Sequence, residues 1–187
     1  MSVLRKIYSF LIDSLQTFLM AAAVFLVIYI FLFRPFEVKG DSMFPNFLNQ
    51  EYILTNLISL RFSEPKQGEV IVFKAPTDTE KDFIKRIIGV PGDIVEVKDG
   101  QTYVNGNLLD ESAYLDPSVK TFGGAFLKDG VPVTVPTVKY FVMGDNRLYS
   151  SDSREWGFVG KDAIIGRSFI VYWPLNEVKI VTNPLSK

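Results

Sequence analysis

The 187-residue sequence predicts a mainly β domain, a barrel or sandwich, carried on one N-terminal transmembrane helix. Three observations support this. No charged residue occurs between Ser14 and Phe33. Beyond that run, short segments rich in Val, Ile, Phe and Tyr recur between Gly, Pro, Asp and Asn residues. These segments do not alternate with helical patterns and show no internal repeat, which disfavours a parallel sheet. The chain divides into a tail over 1–13, an anchor over 14–33 and a β-rich domain over 34–187. Residues from about 106 to 136 read as an irregular excursion from that domain.

The anchor comes first. Its residues from Thr17 to Phe33 are almost unbroken apolar side chains. Twenty helical residues span about 30 Å, the thickness of a bilayer's hydrocarbon core. Arg34-Pro35 ends the run, because a charge returns and proline disfavours helix at the residue before it. A cleaved secretory signal would be shorter and would end in small residues, where this chain has Phe31, Leu32 and Phe33. Arg5 and Lys6 on one side balance Arg34 and Lys39 on the other, so basic residues do not set the orientation. A short tail inside and a large domain outside is compatible with this pattern.

Strands are expected at Glu69–Phe73, Phe83–Ile88, Asp93–Val97, Thr102–Val104, Lys139–Met143 and Ile164–Trp173. Asp99-Gly100 is a hairpin signal between two of them, and Asn105-Gly106 follows as a second turn. Glu111–Pro136, with Gly123-Gly124 and weak patterning, is the least regular part. Phe44–Phe62 is dense in large apolar side chains. That density fits core strands, and it also fits an apolar patch resting on a bilayer beside the anchor.

Composition narrows the chemistry. Hydrophobic residues are 48% and charged residues 22% of the chain, which suits a packed core. Twenty basic against 21 acidic residues argue against an electrostatic grip on nucleic acid. With no Cys there is no disulfide framework and no thiol chemistry. With no His there is no Ser-His-Asp triad and no HExxH zinc site. Any hydrolysis must run on Ser, Thr, Lys, Tyr and carboxylates.

Two residues stand out. Lys85 lies in Phe83-Ile-Lys-Arg-Ile-Ile88, so in a strand its same-face neighbours are Phe83 and Ile87. Such a lysine is either a surface residue with a snorkelling stem or a desolvated amine with a lowered pKa. Ser42 lies in Val38-Lys-Gly-Asp-Ser-Met-Phe-Pro45, nine residues past the anchor, and alone would pass for a turn serine. Lys85 continues into a sharp Gly-Val-Pro-Gly-Asp93 loop. A last stretch, Gly144-Asp-Asn-Arg-Leu-Tyr-Ser-Ser-Asp-Ser-Arg-Glu-Trp-Gly157, carries more polar fixtures than a connecting loop requires.

These segments occur in the order anchor, Ser-Met-x-Pro, Gly-Glu-Val-Ile-Val-Phe, Lys-Arg-x-x-Gly-x-Pro-Gly-Asp, Gly-Asp-Asn-Arg-x-x-Ser-x-Asp-Ser-Arg. In this the chain resembles bacterial type I signal peptidase, the leader peptidase family, from the anchor to Gly157. Mitochondrial relatives share the dyad, but the last motif is similar to the bacterial form. The resemblance implies a Ser-Lys endopeptidase that removes signal peptides from exported preproteins, with a β-barrel or sandwich catalytic domain. It implies a single-pass protein of the plasma or inner membrane, active as a monomer on the extracytoplasmic side. No cofactor, metal or nucleic acid is expected. By the same resemblance Ser42 is the nucleophile and Lys85 the general base. Ser150 is the serine that orients the lysine by a hydrogen bond, and Asp152 and Arg154 are a supporting ion pair. Val38 and Ile84 line pockets for small residues at the −1 and −3 positions. Two positions depart from the family pattern. Asn46 stands where Thr is usual, and Gly40 stands where some members carry a serine that aids the oxyanion hole. Here that hole would depend on backbone N–H groups, chiefly that of Ser42.

Two other classes compete. A repressor-cleaving Ser-Lys autopeptidase would carry a DNA-binding module in place of an anchor. A non-catalytic anchored β module would have lost Ser42 or Lys85, and both are present. The S-x-x-K motif of β-lactamases and the G-x-S-x-G motif of α/β-hydrolases are absent.

Overall fold

The computed structural model describes residues 3–186. Helix α1 spans Val3–Leu32. No Gly or Pro interrupts Val3–Asp13, so the segment expected as a separate tail is helical from Val3 onward; the first two residues lie outside the described residues. Within α1, Arg5–Val27 is long and apolar enough to cross a membrane, and none of it is buried against the domain. The helix stops at Leu32, one residue before the expected end. Phe33 instead starts strand β1 (Phe33–Glu37) and packs on the Phe169 ring, 5.3 Å between centroids.

After β1 the chain forms β2 (Tyr52–Asn56), a short helix α2 (Ser59–Phe62), β3 (Val70–Ala75) and β4 (Asp78–Gly89). Then follow β5 (Ile94–Lys98), β6 (Gln101–Val104), β7 (Asn107–Leu108), β8 (Val133–Thr134) and β9 (Lys139–Met143). The chain ends with α3 (Ser153–Trp156), β10 (Val159–Gly160), β11 (Ile164–Trp173) and β12 (Lys179–Ile180). One large sheet runs β1-β2-β11-β3-β4-β9-β10, with β12 on β11, and a smaller one runs β7-β6-β5-β8. The mainly β expectation holds. The large sheet has two open ends, however, so it is not a closed barrel.

Alternation along β3 shows how the core forms. Val70 and Val72 face a cluster with Val38, Met43, Phe47 and Ile53, while Ile71 and Phe73 face Ile87, Tyr140 and Val142. Both faces of this central strand are therefore apolar, as burial on two sides requires. A third cluster, including Ile88, Val95, Val97, Leu127 and Phe141, joins the small sheet to the β4–β9 end of the large one. At about 25 cal/mol per Å² of apolar surface, these clusters are the main stabilising term.

The turns behave as their residues predict. Asp99 and Gly100 have φ of 55° and 77°, and Asn105 and Gly106 have 53° and 76°. Two-residue hairpins need positive φ at both central positions to match strand twist, which Asx-Gly pairs tolerate best. The excursion between Glu111 and Pro136 is irregular apart from β8, but fully buried Leu127 pins it to the core. Phe44–Phe62 contributes only part of its apolar side chains to the core. Phe47 and Ile53 are core, whereas Phe44 and Phe62 are exposed.

Strand β4 is paired unequally on its two sides. It pairs with β3 along most of its length, placing Lys85 opposite Ile71 and Ile84 opposite Val72. Its pairing with β9 covers only Arg86 to Gly89. Among the described residues, 82–85 therefore pair with no strand on the β9 side, and only the Ile84 carbonyl there accepts a bond, from the Lys85 amine.

Candidate active site

The loop carrying Ser42 is held from both sides. Met43 and Phe47 are buried in the core cluster beneath it, which fixes its depth. From the last polar loop, the Asn146 N–H donates to the Ser42 carbonyl at 3.0 Å. The Asn146 side-chain amide donates to the Asp41 carbonyl at 2.9 Å. Gly144 makes this approach possible. A Cβ there would sit 2.3 Å from the Ser42 carbonyl oxygen and 2.2 Å from Ser150 Oγ, so no larger residue fits. Gly40, at φ +84°, turns the chain ahead of the serine and donates its N–H to Asn49 Oδ1 at 2.8 Å.

Lys85 meets Ser42 at this point. Its amine donates to Ser42 Oγ at 2.7 Å and to the Ile84 carbonyl at 3.0 Å. It also lies 5.3 Å from the centroid of the Phe83 ring. Lys85 is only 3% exposed. Burial pushes its pKa down to about 8, against the opposing pull of the Asp152 and Asp145 carboxylates. Of the two readings of this lysine, the structure shows the desolvated one.

A cavity of about 260 Å³ opens beside the pair. Val38, Ile84, Ile53, Val72 and Phe83 line it together with Ser42 and Lys85, and Ser151 and Asp82 stand on its wall. The structure thus brings Val38 and Ile84 to one cavity with Ser42, although they lie 46 positions apart in the sequence.

Asp152 and Arg154 form a buried pair, with Arg154 Nε and Nη2 each 2.8 Å from a carboxylate oxygen. Asp152 also accepts the Gly144 N–H at 3.0 Å, and Arg154 donates to the Arg147 carbonyl at 2.8 Å. Burial alone would raise the Asp152 pKa. The Arg154 guanidinium and the Gly144 N–H overcome that and hold the carboxyl below its ordinary value. The placement of Ser150 differs from the sequence expectation. Its hydroxyl is buried, and no hydrogen bond joins it to the lysine. It lies near enough to Asp152 to help keep that carboxylate charged.

Sequence reasoning missed a second layer of support. Arg86, next to Lys85, binds Asp145 through Nε at 2.8 Å and Nη2 at 2.7 Å, with both side chains buried. Arg147, fully buried, pairs with Glu111 of the excursion and donates to Thr121 Oγ1 at 2.8 Å. Arg86, Asp145 and Arg147 sit inside conspicuous motifs, and their polarity was a signal. Glu111 lies in the least patterned segment and gave none. No cluster of Asp and Glu suited to a metal ion occurs among the described residues.

The family model described as signal peptidase, peptidase S26, matches residues 11–173. The chain is 40% identical to a probable signal peptidase I-2 of Synechocystis, over 88% of this chain and 75% of that protein. It is 35% identical to signal peptidase IB of Staphylococcus aureus, over 92% of this chain and 96% of that one. Among solved structures, a signal peptidase I from Enterococcus faecalis is 31% identical with a TM-score of 0.46, covering 56% of this chain and 97% of its own.

The Arg147–Glu111 pair leads to a stability prediction. Glu111→Ala leaves a buried guanidinium without its carboxylate, which should cost about 3 kcal/mol. Urea unfolding of the detergent-solubilised protein checks this through the transition midpoint at constant slope. Glu111→Gln, which keeps an acceptor oxygen, should lose less.

Proposed function

The chain belongs to the signal peptidase family, peptidase S26, and on that premise we propose that it cleaves signal peptides from exported preproteins with Ser42 as nucleophile and Lys85 as general base. The observation that carries this reading is the 2.7 Å contact between a buried lysine amine and the Ser42 hydroxyl. A neutral amine accepts the serine proton as Oγ attacks the scissile carbonyl. The resulting ammonium then gives its proton to the leaving amine. Water next attacks the acyl ester with Lys85 again as base. At a pKa of about 8, roughly one lysine in ten is neutral at pH 7, against about one in three thousand at the ordinary value of 10.5.

The developing oxyanion needs donors that are already in place. The Ser42 N–H is the leading candidate, since it donates to no protein acceptor among the described residues. Substrate would lie extended against the free edge of β4 at residues 82–85, where main-chain bonds bind any sequence and side-chain pockets select. The cavity walls of Val38 and Ile84 suit small apolar side chains at the −1 and −3 positions. Ser150, Asp152 and Arg154 act as supports behind the amine.

Helix α1 would be the single membrane anchor, with the catalytic domain on the extracytoplasmic side and the monomer as working unit. No linker separates them: the Leu57 N–H donates to the Leu32 carbonyl at 2.9 Å. Nine residues of chain then keep Ser42 within about 30 Å of the bilayer, where membrane-bound preproteins are concentrated.

Ser42→Ala and Lys85→Ala should each abolish cleavage of a preprotein while leaving the fold intact, and the double variant should be little worse than either. Substantial cleavage by Ser42→Ala would remove the serine from its role. The pH profile gives an independent check. Falling pH protonates the amine, so the acidic limb of kcat/KM should have its midpoint near 8 and lose about tenfold per unit below it. Phe83→Ser or Ile87→Ser rehydrates the amine and should move the limb upward. A limb near pH 4–5 would point to a carboxylate base instead.

A further inference from the structure

Asn46 lies four residues beyond Ser42, between the buried anchors Met43 and Phe47. Its side-chain amide donates twice, to the Tyr114 carbonyl at 2.7 Å and to Asp145 Oδ2 at 2.9 Å. The same Asp145 holds Arg86, and Arg86 follows Lys85 on β4. A closed circuit results. It runs from the Ser42 loop through Asn46, Asp145 and Arg86 to Lys85, and returns to Ser42 across the 2.7 Å contact. The Tyr114 ring lies 4.2 Å beneath the Arg86 guanidinium, and its hydroxyl donates to Glu111 Oε1 at 2.7 Å.

We propose that Asn46 is a positioning residue for the Ser42–Lys85 pair, a strut that sets the distance between the nucleophile loop and β4 and links both to the Tyr114 segment. This rests on the dyad reading above. The Lys85–Ser42 bond cannot itself hold the two elements in register, because every turnover breaks it. The backbone contact from Asn146 fixes the Ser42 carbonyl and reaches β4 only through the main chain of the last polar loop, by way of Asp145 and of Met143 opposite Arg86. The path through Asn46 ties the other end of the nucleophile loop to the same Asp145, in a network where each member depends on its neighbours. Reacting groups displaced by a fraction of an ångström lose much of their proximity advantage.

The charged groups facing the amine are known. Asp145 and Asp152 are paired with Arg86 and Arg154, and Asp82, Glu37 and Lys39 line the adjoining cavity. A change at Asn46 therefore reaches Lys85 chiefly through Asp145.

The test uses the detergent-solubilised full chain and a preprotein-derived peptide with small residues at −1 and −3. Asn46→Ala should lower kcat at least about tenfold with KM changed less than about twofold. Asn46→Thr, which retains one donor, should recover part of that loss. Asn46→Asp keeps the shape but adds a negative charge beside Asp145. Through space that charge should move the acidic limb of kcat/KM to higher pH whatever Asn46 holds in place, so the strut is read from the split between kcat and KM. Wild-type kcat in Asn46→Ala, or a loss carried by KM with kcat unchanged, overturns the strut. If Asn46→Asp does not fold, the Ala and Thr variants decide. Ser42→Ala is run alongside. Its cleavage of the peptide would sink the dyad, whereas its inactivity beside a fully active Asn46→Ala would sink the strut alone.

Discussion

Lys85 donates a hydrogen bond to Ser42 Oγ from a position almost closed to solvent, where the ammonium form is disfavoured, and the surrounding structure is arranged around that condition. Two opposing effects act on the amine. Burial favours the neutral form, while the nearby Asp152 and Asp145 carboxylates favour the charged one. Each carboxylate is itself bound by an arginine, so much of its field is already answered before it reaches the lysine. Were Asp145 or Asp152 unpaired at the same distance, the balance would move further towards ammonium and less neutral amine would remain at neutral pH.

The arginine–carboxylate pairs also solve a mechanical problem. Ser42 and Lys85 sit on segments 43 residues apart that share no strand pairing, and the last polar loop must reach both. Buried ion pairs contribute little net stability compared with apolar packing, but breaking one is expensive. That asymmetry suits a site where one arrangement must be held against many near alternatives. Arg154 joins α3 to the Arg147 carbonyl, Arg147 reaches Glu111, and Arg86 reaches Asp145. The irregular excursion, which carries little secondary structure, supplies Glu111 and the Tyr114 ring to this scaffold.

What the sequence disclosed depends on the range of each interaction. Hairpins at Asp99-Gly100 and Asn105-Gly106 are local, and strands Lys139–Met143 and Ile164–Trp173 have their predicted limits because alternation and flanking breakers mark both ends. The desolvation of Lys85 was legible in part from Phe83, two residues before it, whose ring centroid lies 5.3 Å from the amine. Longer-range choices were not. The pairing of Arg147 with Glu111 spans 36 positions, and nothing near Glu111 announces it. The early start of α1 is hidden because the charges at Arg5, Lys6 and Asp13 suggest a separate tail, although charged residues extend a helix as readily as apolar ones. Strand β1 contains Pro35, which a central strand would exclude but a sheet edge accepts. Ser150 lies beside the site, as its motif implies, yet the partner of its hydroxyl depends on a side-chain torsion that no pattern encodes.

The most direct measurement is the titration of the Lys85 side chain itself, by NMR of protein carrying isotope-labelled lysine, with the Lys85→Arg variant assigning the signal. If burial sets the state of the amine, the resonance will titrate with a midpoint near 8. A midpoint near the ordinary 10.5 would mean that the amine is solvated and almost wholly charged at neutral pH, contradicting its proposed role as the base that activates Ser42.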